Sequence, residues 1–172
     1  MKYLGLMATL GVSISLFGCA SNKTETGPMS IAKQGSFFVG GKNIKSNSVS
    51  NLPIYSSSGT IAIDQVYVHY QKPTDAKNTS VVLIHGCCLT GKTWESTPDG
   101  RMGWDELFVR NGFSTYVVDQ ASRGRSAVDP STLIAVKGGR QTSKQLPMVN
   151  HVSQEDAWEV FRFGPKYPEV YP

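Results

Sequence analysis

Two cysteines, Cys87 and Cys88, stand side by side in "VVLIHGCCLTG", directly after His85-Gly86. Adjacent thiols have few uses: they can pack as small apolar groups, ligate a metal or work as a redox pair. A metal site fits poorly. Zinc takes four ligands, and its sulfur ligands usually stand two to four residues apart. The other histidines, His69 and His151, are distant in sequence. No metal is expected, and nothing in the chain calls for a cofactor. His85 reads as an organiser of its loop, bonded to neighbouring backbone, rather than as a general base. A second group follows in "VVDQASRGRSAVD", where Asp119 closes an apolar run and Gly124-Arg125-Ser126 follows. Ser126 is not the centre of a G-x-S-x-G nucleophile elbow, because Ala127 and Val128 come next. It reads as structural, and Asp119 as a cap for the loop after it.

The elements that must position these residues are legible. "VVLIH" (81–85) is apolar without alternation, which suits a strand covered on both faces, as in a parallel sheet. "GWDELFVRNGF" carries Trp104, Leu107 and Phe108 at helical spacing, and Asn111-Gly112 is a stop signal. "STYVVDQ" (114–120) is another buried strand. Strand, helix, strand is a βαβ unit with a right-handed crossover. Upstream, "SFFVGG" predicts a short strand closed by glycines. "IAIDQVYVHY" (61–70) changes phase near Asp64-Gln65, which predicts a bulge or two short strands. Ser153 predicts a helix start, with Asp156 completing its cap. "FGPKYPEVYP" fits neither a helix nor a central strand. Trp94, Trp104 and Trp158 are core or pocket-wall candidates. Trp94 is the first choice for the pocket because it follows the cysteine loop.

The 172 residues suffice for one ordinary domain. The net charge of +4 is scattered along the chain, which argues against a nucleic-acid partner. Residues 1–18 read as a signal peptide: Lys2, then an apolar run too short to span a membrane. The run ends in "LFGCA", which resembles the lipobox of bacterial lipoproteins. That resemblance implies cleavage before Cys19 and acylation of its thiol. A membrane is then the partner, the domain lies on the periplasmic side of the envelope, and Ala20-Ser21 points to the outer membrane. The alternative is an ordinary cleaved signal in which Cys19 is incidental. Residues 19–34 read as a flexible tether and 35–172 as the domain. Export means an oxidising compartment. With Cys19 acylated, Cys87 and Cys88 have only each other, or a second chain, as partners.

"VVLIHG" followed by "VVDQASRGRSA" resembles the early part of the α/β-hydrolase fold. "GSFFVGG", "HGCCLTG", "TWESTPDGRMGWDE" and "DQASRGRSA" together narrow the likeness to a small group of secreted bacterial esterases. Those esterases carry a disulfide between adjacent cysteines at the oxyanion loop. The resemblance therefore implies an N-terminal part of an α/β-hydrolase fold, an incomplete and mostly parallel sheet with flanking helices. It implies a Cys87–Cys88 disulfide. It also implies that the Cys87 backbone N–H is an oxyanion donor, supported by His85, Gly86 and Cys88. Neighbouring Cα atoms lie about 3.8 Å apart, below the usual 4.4–6.8 Å of a disulfide, so such a ring would be strained and rigid. An oxyanion donor profits from that rigidity.

In this family the nucleophile, acid and histidine follow the matched segments in that order. No G-x-S-x-G occurs in the chain. The expectation is the entrance of a serine-esterase-like hydrolase, acting on a small ester once completed, with no acyl-transfer machinery of its own. The strand at 81–85 is central in the family's sheet, so its outer edge should lie open. The other functional class is a non-catalytic envelope lipoprotein that uses half a hydrolase fold as a binding module.

Overall fold

The computed structural model describes residues 27–171. Residues 1–18 and Cys19 lie outside the described residues. Four strands form one sheet in the order β1-β2-β4-β3. The first two, β1 (Ile31–Ser46) and β2 (Gly59–Pro73), make a long antiparallel hairpin. β2 pairs antiparallel with β4 (Ser114–Asp119), and β4 pairs parallel with β3 (Ser80–Ile84). The sheet is therefore mixed, and its parallel character lies in the β3–β4 pair.

The short helix α1 (Lys92–Glu95) and the longer α2 (Trp104–Arg110) lie between β3 and β4 in the chain. α2 packs on β4, with Val109 and Val117 both fully buried. Asn111 caps α2 and Gly112 follows at φ +84°, a conformation that glycine adopts without strain. After β4 come α3 (Ser131–Lys137), a 3-10 turn at Ser143–Gln145 and α4 (Gln154–Val160). The Ser153 hydroxyl accepts the Asp156 N–H at 3.0 Å, as the sequence predicts for that helix start. From within α4 the Trp158 indole donates to the Glu169 carbonyl at 2.8 Å, and its ring meets Phe163 and Tyr167.

Three expectations need correction. The first strand begins at Ile31, inside the segment read as tether, and it runs on past Gly40-Gly41 to Ser46. An edge strand bonds through its main chain, so the exposed Ala32, Lys33 and Gln34 need no apolar alternation to join it. Second, β2 is one continuous strand. Its phase changes where Asp64 takes φ +58°, opposite Gly41, so Ile63 and Val68 are both buried although five residues apart. Third, β3 is covered on one face only. Leu83 is buried, whereas Val82 and Ile84 are each 56% exposed. β3 is also the edge strand among the described residues, and the face that carries Val82 and Ile84 is open there.

Candidate active-site loop

β3 and β4 run parallel, so the loops that leave them emerge at the same edge of the sheet. In open α/β sheets, ligands bind at that carboxyl edge. The loop after β3 carries the paired cysteines. The Leu89 N–H reaches back to the Gly86 carbonyl at 3.4 Å, which makes Cys87 and Cys88 the two central residues of a β-turn. Cys88 takes φ +66°. A positive φ at the third residue is the mark of a type II turn, and it costs a side-chain-bearing residue strain. Among the described residues the Cys87 N–H donates to nothing. Both cysteines are free, with their sulfurs 2.8 Å apart. The Cys88 thiol also lies 3.5 Å from the Asn150 carbonyl. Its hydrogen bond to Cys87, followed by burial and the neighbouring sulfur's charge, pushes its pKa up against the pull of Arg123.

His85 is 4% exposed, and both of its ring nitrogens are engaged. Nε2 accepts the Gln120 N–H at 3.1 Å, so the proton sits on Nδ1, which donates to the Gly86 carbonyl at 2.8 Å. The Gln120 side-chain amide donates to the His85 carbonyl at 2.8 Å. The imidazole ties the two loops together and has no lone pair left for a substrate proton.

Asp119 makes the second tie. It ends β4, is 1% exposed, and spends both carboxylate oxygens on loop backbone. Oδ1 accepts the Gly91 N–H at 2.6 Å; Oδ2 accepts the Arg125 N–H at 2.8 Å and the Arg125 Nε at 2.7 Å. Burial pushes the Asp119 pKa up. The Arg125 guanidinium and the two backbone N–H groups outweigh it and hold the carboxyl below its usual range. Arg125 also meets Glu95 at 3.3 Å and stacks over the Tyr67 ring at 4.3 Å. The Ser126 hydroxyl donates to the Asp119 carbonyl at 2.6 Å and accepts the Tyr67 N–H at 2.7 Å. It is committed to backbone and cannot also serve as a nucleophile.

Glycine is required at two of these contacts. A Cβ at Gly91 would sit 2.9 Å from Asp119 Oδ1, and one at Gly124 only 2.6 Å from the Asp119 carboxyl carbon. Neither Gly91 nor the pairing of Arg125 with Asp119 is among the features that the sequence motifs single out. The usable signal was an apolar strand ending in aspartate with an arginine six residues on.

A hollow of about 670 Å³ opens beside the turn, lined by Cys88, Leu89, Thr93, Pro98, Gly103 and Trp104. Trp94, expected in the pocket wall, is not part of the lining. Its ring packs edge-on against Trp104, and its Nε1 is buried without a partner. Gly103 explains the exchange: a Cβ there would meet the Trp94 carbonyl at 2.1 Å, so the start of α2 lies against α1 and brings Trp104 to the hollow. Among the described residues no cluster of histidine, cysteine, aspartate or glutamate could hold a metal ion.

Strand order, helices and carboxyl-edge loops make this chain the N-terminal part of an α/β-hydrolase fold. A bacterial esterase solved at atomic resolution superposes with a TM-score of 0.82 and is 54% identical, over 87% of this chain and 47% of its own. The chain is also 32% identical over 149 residues to the probable secreted lipase phiG of a fungal species (strain ATCC 74256), covering 85% of this chain and 36% of the lipase. It thus spans less than half the length of either relative. No family model matches it.

Proposed function

We propose that the chain is the N-terminal portion of an envelope-anchored carboxylic ester hydrolase, and that the Cys87 N–H is one donor of its oxyanion hole. The observation that carries this reading is the unspent N–H at the centre of a turn whose flanks are pinned by His85 and Asp119. Catalysis asks for a donor held in place before charge develops on the ester oxygen, and the loss of one such donor costs about 10²–10³ in turnover. Closing Cys87 and Cys88 into a disulfide would stiffen the turn further. No G-x-S-x-G occurs among these 172 residues, so on this reading the serine nucleophile, its acid partner and the catalytic histidine belong to the part of the hydrolase that the relatives have and the match leaves uncovered. Acylation of Cys19 holds the domain on the periplasmic face of a membrane, the outer one by the residues that follow it. The relatives support the chemistry, as one is an esterase and the other a probable secreted lipase.

A chimera tests the reading. This chain replaces the matching part of the bacterial esterase, and hydrolysis of a nitrophenyl acetate is followed. A folded, active chimera whose rate falls on mild reduction of the cysteines is the expected result. A folded chimera without turnover would overturn it in favour of a binding module. An active chimera indifferent to reduction would remove the disulfide alone.

A further inference from the structure

The carboxyl edge of the sheet bears the candidate site. The opposite edge bears the entry of the chain. Gly27 to Ser30 line a hollow there together with Pro73, Lys77, Arg110 and Gly112. Arg110 donates to the Gly27 carbonyl at 2.7 Å, and the Thr74 N–H to the Ser30 carbonyl at 3.2 Å. β1 then pairs from Ile31 with Pro73, the last residue of β2. Since β2 is antiparallel to β4, this is the end at which β4 begins, whereas the Cys87–Cys88 turn stands where β3 and β4 finish.

We propose that the domain stands on its membrane with the cysteine turn pointing away from the bilayer, so that its substrate is an ester dissolved in the aqueous phase and not a membrane lipid. The proposal rests on the acylation of Cys19 read above. From Cys19 to Gly27 is eight residue steps. Fully extended, these reach at most about 29 Å. The six residues of β4 alone span about 20 Å, and the entry segment and the turn add to both ends. Bringing the turn to the bilayer would lift Gly27 by that height and demand a nearly straight connection. Each straightened residue gives up conformational freedom. With the entry side down, no stretching is needed. The hollow by the turn then opens to water, and a bilayer ester would have to leave its membrane to reach it.

Fluorescence quenching decides the orientation. The acylated full chain is placed in phosphatidylethanolamine–phosphatidylglycerol vesicles containing a nitroxide-headgroup lipid. One variant, Cys88→Ser, carries a bimane at Cys87. The other, Cys87→Ser/Cys88→Ser/Lys77→Cys, carries it at the entry end. The expected result is quenching at least threefold stronger at position 77. Equal quenching, or stronger quenching at Cys87, would overturn the orientation. A chain that carries no acyl mass on Cys19 and leaves the vesicles overturns the anchoring reading, and the orientation falls with it. The anchored chimera supplies the substrate half. It should cleave dissolved nitrophenyl acetate and release no fatty acid from its own vesicles. Fatty-acid release would overturn the aqueous substrate, whereas cleavage of neither would overturn the esterase reading itself.

Discussion

Asp119 Oδ1 accepts the Gly91 N–H at 2.6 Å, although the two residues are 28 apart in sequence. Through this bond the last residue of β4 fixes the far end of the loop that carries the paired cysteines. His85 fixes the near end through Gln120. The turn between them is held from both sides.

Replacing Asp119 with asparagine should therefore loosen both loops at once. Asn keeps one acceptor oxygen but loses the charge that Arg125 needs. A destabilisation of about 2–4 kcal/mol is expected, since a buried charged acceptor is lost while its partner stays. Urea unfolding measures it. The carboxyl's pKa is depressed in the fold, so its stabilisation is present at neutral pH and fades as pH falls through and below the usual carboxylate range. The gap between wild type and Asp119→Asn should narrow accordingly.

Two glycines separate backbone strain from crowding. Gly100 and Gly124 both have positive φ, +83° and +50°. A Cβ at Gly100 meets nothing within 4 Å; at Gly124 it meets the Asp119 carboxylate at 2.6 Å. Gly100→Ala should cost only the left-handed penalty of about 1–2 kcal/mol. Gly124→Ala should cost clearly more and should also remove the Asp119-dependent pH effect. Equal melting-point shifts would contradict the crowding.

Asp105 works in the opposite direction. Burial raises its pKa from 3.8 to about 6, with the nearby Glu95 and Glu106 charges adding to it and the Glu106 N–H opposing. The folded chain thus holds a proton that the unfolded chain has released between about pH 4 and 6, and stability falls as pH rises through that window. Such a shift corresponds to about 3 kcal/mol at the alkaline side. Asp105→Asn keeps the oxygen that accepts the Glu106 N–H. It should raise the melting temperature at pH 8 and leave it nearly unchanged at pH 4. A gain of equal size at both values would show that the charge is not responsible.

Local signals in the sequence located β3, α2, β4 and the α4 cap because each is written in consecutive residues: an apolar run, a helical period, a serine three residues before Asp156. β1 was harder. Its first residues are polar and exposed, and their place in the sheet is decided by β2, some 40 residues later. α3 carries no side-chain cap and stayed unread. At the site, the cysteine pair and His85 were conspicuous. The tie from Asp119 to Gly91 was not, because a backbone N–H leaves no mark on the sequence. Trp94 and Trp104 exchanged places for a similar reason: the contact that seats α2 on α1 is made by Gly103, which has no side chain to read.

The proposed oxyanion hole turns on one N–H, and proline can remove it. Cys87 occupies the second position of its turn, where proline is well tolerated. In the esterase chimera, Cys87→Pro deletes the donor, and Cys87→Ala keeps it while losing the same sulfur. Steady-state hydrolysis of nitrophenyl acetate should show kcat/KM for Cys87→Pro about 10²–10³ below that of Cys87→Ala, at similar melting temperatures. Equal kcat/KM for the two variants would contradict the account.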